Sequence, residues 1–290
     1  MKLKFWFCIA LVITILCGCT PVDYAEISAT TLPVYQFTSL LCEGTGLSVA
    51  RLVTENVSCL HDYSLNVYQV QALEAAKLTV INGAGLEESM EGMLPKNNTL
   101  IDSSFGISLI ECHAHEHEED HGHHHEKDAH IWLSPQNAIQ MAHNICRGLC
   151  AAYPIHTQTF ENNLTTLVDQ LTALEAYGKE QLQDLSCRKL ITFHDGFSYF
   201  AEAFDLEIVH AMEEESGSEA SAQELKELIM IVQEHQLPAL FTERSGSVSA
   251  AGIISAETGA KVFSLDMAMS GNDYFEAMYH NIDTIKEALG

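Results

Sequence analysis

Residues 157–185 form the longest stretch of this chain with one unbroken period. Phe160, Leu164, Leu167, Leu171, Leu174 and Leu182 recur at threes, fours and their sums, with no proline and a single glycine, Gly178. That spacing predicts an amphipathic helix. A helix of about 29 residues would be roughly 43 Å long, more than one small domain needs, so the stretch reads as a rigid strut between two domains. The stripe is too short to favour the other use of such a pattern, a coiled-coil seam.

Strand-like and helix-like segments alternate on both sides of the strut. Before it, strands are expected at 26–31, 47–53, 78–82 and 100–102, with helices at 33–42, 68–76 and 87–93 and a further helix at 137–151 opened by Ser134 and Pro135. After it, strands at 189–193, 207–210, 239–242 and 260–264 alternate with helices at 197–204, 222–235, 248–258 and 274–289. This order belongs to the α/β class, with mainly parallel sheets flanked by helices. The organisation read from it is an N-terminal α/β domain at 26–154, a linking helix at 155–186 and a C-terminal α/β domain at 187–290. Gly83-Ala84-Gly85 follows a strand as a nucleotide-binding loop would, but the third glycine position is Glu88, which argues against a dinucleotide.

Eight of the fifteen histidines fall between Glu111 and Pro135. The loop 113–128 within that stretch has no apolar period, and interleaves His113, His115, His117, His121, His123, His124 and His125 with acids. Neutral imidazole is a good ligand for a borderline ion such as zinc, so the loop reads as a set of weak, interchangeable auxiliary metal sites. His117-Glu118-Glu119-Asp120-His121 also matches the His-Glu-x-x-His pattern of zinc peptidases. That pattern needs a helix with an apolar buried face, and the intervening acids and Gly122 supply none. At Asp128 the composition changes, and His130 is set among large apolar residues that can hold it still.

The chain opens with Lys2 and Lys4, an apolar run from Phe5 to Leu16, and Leu16-Cys17-Gly18-Cys19. The run is shorter than the about 20 residues of a membrane-spanning helix and fits a secretory signal. Its end resembles a lipobox. That resemblance implies a signal peptide at 1–18, lipidation (diacylglycerol or palmitate) at Cys19 and a lipid-anchored tether at 19–25, placing the protein at the cell membrane on the extracytoplasmic face. Losing Lys2 and Lys4 moves the formal charge from −26 to −28, which disfavours nucleic acid and suits a cation. Six cysteines remain, Cys42, Cys59, Cys112, Cys146, Cys150 and Cys187. An oxidising compartment permits disulfides among them, in a pairing the sequence does not choose.

Three isolated histidines stand at strand ends or in the loops that follow, where open α/β sheets bind ligands. They are His61 in Cys59-Leu60-His61-Asp62-Tyr63, His130 in Asp128-Ala129-His130-Ile131-Trp132-Leu133-Ser134-Pro135, and His194 in Ile191-Thr192-Phe193-His194-Asp195-Gly196. With Phe241-Thr242-Glu243 and the closing Tyr274, Met278, Asn281 and Ile285, these segments resemble the metal-binding lipoproteins that serve zinc and manganese ABC importers. The resemblance runs over residues 25–289. It implies two pseudo-symmetric domains, a metal held between them by His61, His130 and His194, and Asp266 at the fourth ligand position. This chain has Leu60 where some zinc-binding relatives carry an acid, and Met267 where others carry proline. The fourth position therefore stays open among Asp266, a water, a loop histidine and Glu243.

Three imidazoles with one oxygen suit four-coordinate zinc, whereas manganese prefers more oxygen donors. The manganese-binding relatives tend to carry glutamate at the position of His194. The reading is thus a Zn2+-binding solute-binding lipoprotein, a monomer and not an enzyme, that hands its ion to an ABC permease and its ATPase subunit. Three alternatives stand beside it: a manganese-binding member of the same family, a secreted zinc hydrolase with Asp195, Asp266 or Glu243 as base, and a surface metal buffer.

Overall fold

The computed structural model describes residues 24–55, 57, 60, 63–94, 99–111, 127–212, 220–244 and 248–290. Its N-terminal lobe contains β1 (Ile27–Ala29), α1 (Leu32–Cys42), β2 (Val49–Arg51), α2 (Val67–Ala75), β3 (Leu78–Ile81), a 3-10 segment at Glu88–Met93 and β4 (Thr99–Asp102). The four strands are parallel, in the order β2-β1-β3-β4. The C-terminal lobe contains β5 (Lys189–Thr192), α5 (Ser198–Ala203), β6 (Glu207–Ala211), α6 (Ala222–His235), β7 (Ala239–Glu243), α7 (Ser249–Thr258), β8 (Lys261–Leu265) and α8 (Tyr274–Leu289). Here too the strands are parallel, in the order β6-β5-β7-β8. With β5 taking the place of β1, the two sheets have the same order, the pseudo-symmetry that the resemblance implied.

Helix α3 (Pro135–Ala152) packs on the N-terminal lobe, against α1 and β4, and leads to the linking helix α4 (Thr157–Gln181). The buried residues of α4 are Phe160, Leu167, Leu171, Leu174 and Gly178, close to the expected stripe. Gly178 leaves room for Phe204 of the C-terminal lobe, since a Cβ there would stand 2.2 Å from that ring. The helix ends at Gln181 rather than near 185. Arg188 takes the carbonyls of Leu182 and Gln183 with Nη2 and those of Phe204 and Asp205 with Nη1, so the carbonyls are satisfied by a guanidinium instead of a further turn. At the other lobe, the Asn163 side chain donates to Leu41 O and Glu43 O.

Strands β1, β3 and β7 are buried along their whole length, as expected for parallel strands covered on both faces. Helix ends follow local chemistry. Asn66 with Gln69 and Ser221 with Glu224 form capping boxes for α2 and α6. Left-handed Gln236 and Gly259 end α6 and α7. Among the described residues no helix is long and apolar enough to cross a membrane. Cys42, Cys146, Cys150 and Cys187 are free thiols, the Cys146 and Cys150 Sγ atoms lying 4.0 Å apart. Cys59 and Cys112 lie outside the described residues.

The segment after β8 ties the lobes together. Gly271 O accepts from Arg51, Tyr274 N donates to Gln36 Oε1, and the Tyr274 hydroxyl donates to Trp132 O. Strand β2 and helix α1 of one lobe thus meet the strap 266–274 of the other.

Candidate metal centre

His130 caps a short 3-10 turn, Ile131–Leu133, whose three apolar side chains are all buried. Those anchors hold the ring of His130 in the interior, where it is 2% exposed. Its Nδ1 faces Asp128 Oδ1 at 2.8 Å, and its backbone N–H donates to the same oxygen at 2.8 Å. Asp128 is held in turn: its carbonyl accepts from the Tyr199 hydroxyl at 2.9 Å, and that hydroxyl accepts from Ile110 N at 3.0 Å.

His194 stands two residues beyond β5, at the carboxyl end of its sheet. The neighbouring strand β7 ends on Glu243, whose Oε1 lies 3.1 Å from His194 Nδ1. Sheet order decides this contact, since β5 and β7 are neighbours in space although His194 and Glu243 are far apart in the chain.

Both imidazoles therefore have Nδ1 near a carboxylate; at His130 the hydrogen bond makes Nδ1 the donor and leaves Nε2 with its lone pair. The two Nε2 atoms lie 3.3 Å apart across the lobe boundary. Two nitrogens each about 2.0–2.1 Å from one tetrahedral ion are about 3.3–3.4 Å apart. With the proton of each ring on Nδ1, the two Nε2 lone pairs are placed to bind one shared cation. Gly196 packs against both rings: a Cβ there would stand 2.7 Å from His194 Cδ2 and 3.0 Å from His130 Cε1.

Asp266 follows β8. Its Oδ1 accepts from Ala268 N at 2.8 Å and its Oδ2 pairs with Arg244 Nη1 at 3.2 Å, while its backbone is clamped on both sides by the Asn281 amide. Asp266 and Glu243 line a cavity of about 470 Å³ together with Val57, Arg244, Met267 and Asp273. His61 lies outside the described residues, as do His113, His115, His117, His121, His123, His124, His125 and Cys19. Leu60, just before His61, is buried, with its carbonyl accepting from Ser89 Oγ.

The structure thus brings His130 and His194 together, whereas Asp266 lines a cavity with Glu243 and, among the described residues, no three candidate ligands come together as one group. Sequence reasoning missed the partner role of Asp128 and assigned Glu243 as a possible ligand or a hydrolase base, not as the partner of His194. For Asp128 a signal was present in the Asp-x-His spacing, which lets a carboxylate reach back to the imidazole; for Glu243 no local signal exists.

Two parallel lobes joined by one helix, with an imidazole from each meeting at the junction, define a two-lobed binding protein. The family described as zinc-uptake complex component A, periplasmic, matches residues 27–288. The chain belongs to this family. It is 27% identical over 283 residues to the high-affinity zinc uptake system protein ZnuA of Bacillus subtilis (strain 168), covering 92% of this chain and 88% of that protein. It is 27% identical over 247 residues to the manganese ABC transporter substrate-binding lipoprotein scaA of Streptococcus gordonii, covering 79% of this chain and 78% of that one. A crystal structure of ZnuA matches with a TM-score of 0.79 and 32% identity over 92% of this chain and all of that chain (100%).

Proposed function

We propose that this protein captures Zn2+ outside the cytoplasm and delivers it to an ABC-type importer, a permease with its ATPase subunit. The observation that carries the reading is the pair of imidazoles whose Nδ1 atoms are turned to carboxylates and whose Nε2 atoms lie 3.3 Å apart, the edge of a tetrahedral zinc site. His61, His130 and His194 are the nitrogen ligands and Asp266 the fourth, reached when the cation competes with Arg244 for its carboxylate. Manganese is the rival cargo, but a site of three nitrogens and one oxygen favours zinc by donor type and coordination number.

The finer parts of the reading rest on sequence. Residues 1–18 are the signal peptide, Cys19 carries the lipid and 19–25 form the tether; 26–154, 155–186 and 187–290 are the two lobes and their linker. The protein acts as a monomer held to the membrane by its lipid. On this reading it is not an enzyme, and two of the three candidate hydrolase bases have other partners: Glu243 faces His194 Nδ1 and Asp266 is engaged by Ala268 and Arg244.

Calorimetric titration with zinc, on protein without an affinity tag, tests the reading. The parent is expected to show one tight site and several weak ones, and deletion of 113–127 to remove only the weak ones, because loop ligands must lose chain entropy on binding. Loss of the tight site on deletion would make a loop histidine the fourth ligand. A parent with no tight site would overturn the zinc reading.

A further inference from the structure

The turn Gly83-Ala84-Gly85, which the absent third glycine removes from the nucleotide loops, is filled from within the chain. All three residues have left-handed backbone, with φ of 80°, 56° and 88°. The turn brings the N–H groups of Asn82 and Gly83 onto the carboxylate of Glu87, at 2.8 Å to Oε1 and 3.0 Å to Oε2. Thr30 Oγ1, at the end of β1, donates to Oε1 at 2.6 Å. Such a concave set of N–H donors is an anion site, and its anion is Glu87. The Asp102 side chain packs close against the turn as well, since a Cβ at Gly83 would stand 1.9 Å from Asp102 Oδ1.

Glu87 is a costly way to fill this space. It is 4% exposed, and burial pushes its carboxyl up to about 7 although three donors face it, with Asp102 pushing the same way. Stability alone is often served as well or better by a neutral or apolar group at a buried charged position. What the carboxylate does hold is Asn82. The Asn82 side chain donates from Nδ2 to Gly83 O at 2.9 Å and to Ala129 O at 3.1 Å, and Ala129 is the residue between Asp128 and His130. The Asn82 carbonyl is fixed as well, accepting from Ser103 Oγ at 2.8 Å.

We propose that Glu87 is a positioning residue for metal capture, acting through Asn82 to fix the Asp128-Ala129-His130 turn and with it the Nε2 of His130. The proposal rests on the reading of His130 as a zinc ligand. The carboxylate sets the backbone of Asn82, the Asn82 amide sets Ala129, and the turn then holds His130 within reach of His194. Outer contacts of this kind change metal affinity by about 10- to 100-fold in known metal sites.

The test is zinc affinity by competition with a chromophoric chelator, with melting followed by circular dichroism, for the parent, Glu87→Gln, Asn82→Ala, the double variant and Thr30→Val. Each of Glu87→Gln and Asn82→Ala is expected to weaken the tight site about tenfold. The double variant should be no weaker than the weaker single one, because both break one chain of contacts. Thr30→Val, which removes one donor to the carboxylate, should weaken zinc by less in the same direction. A merely structural role predicts lower melting temperatures with zinc affinity within about twofold of the parent, or additive losses of affinity in the double variant; either result overturns the proposal. Should Glu87→Gln fail to fold, Asn82→Ala and Thr30→Val decide, and parental affinity in both overturns it. A parent without a tight site, or His194→Ala with parental affinity, instead overturns the zinc reading on which this one stands.

Discussion

Trp132 donates from Nε1 to the carbonyl of Met267 at 2.7 Å, joining the residue two beyond His130 to the residue next to Asp266. The indole is fully buried and its ring centroid lies 5.2 Å from that of His130. Two candidate ligands from the two lobes are thus set relative to each other by one hydrogen bond between their neighbours. The Tyr274 hydroxyl completes the tie by donating to Trp132 O at 2.8 Å.

Tyr274→Phe removes that hydroxyl and leaves a buried carbonyl without its donor. Burial already holds the Tyr274 phenol well above the usual range, so the O–H is a donor at any working pH. The variant is expected to lose about 1–3 kcal/mol of stability, read from urea denaturation. Parental stability would show that the tie contributes nothing.

Gly196→Ala places a methyl against His194, His130 and Met267. The rings must move apart or tilt, so the tight zinc site should weaken by roughly tenfold or more, while the far-ultraviolet circular dichroism stays that of the parent. Unchanged affinity would mean that the spacing of the two rings is not what binds the ion.

His194→Glu exchanges a borderline nitrogen for a hard oxygen donor and raises the coordination number within reach. Zinc should weaken and the ratio of zinc to manganese affinity should fall, even though zinc keeps the higher absolute affinity. His194→Ala should weaken both ions. An unchanged ratio in the glutamate variant, measured by calorimetric competition, removes His194 from the ligand set.

Glu87 makes stability depend on pH in a definite sense. Its folded value near 7 stands above the unfolded value of about 4.3, so the folded state holds the proton more tightly. The contribution is full below about pH 4 and is lost as pH rises through about 7, on the order of 3 kcal/mol in all. Thr30, Asn82, Gly83 and Asp102 are the groups facing it. Denaturation of parent and Glu87→Gln at pH 4.5 and 7.5 isolates the effect: the parent should lose stability relative to the variant at the higher pH. The same difference at both values would place the Glu87 carboxyl near its ordinary range.

Cys19→Ala removes the residue read as the lipid acceptor, and no described helix can cross a membrane. The processed variant should therefore appear in the soluble fraction, since the acyl chains supply the anchoring energy. A processed variant that still sediments with membranes would show a different anchor.

The sequence alone determined the alternation of elements, the linking helix and the short list of isolated histidines, because each is written in residues within a few positions of one another. Helices α6 and α8 have the limits expected for them, 222–235 and 274–289, since Ser221 and Asp273 cap their first turns locally. The end of α4 was not legible: it depends on Arg188, whose guanidinium takes carbonyls from α4 and from the end of α5 at once. His130 and His194 were legible as candidates, but not the orientation of their rings. That orientation depends on Asp128, two residues away, and on Glu243, which only the adjacency of β5 and β7 brings to His194. Gly83-Ala84-Gly85 was legible as a turn, and only the folded chain shows that Glu87 fills it. In each case the period of a segment sets its conformation, whereas the partner of a buried polar atom is set by which strands and helices lie side by side, and that choice belongs to the packed chain as a whole.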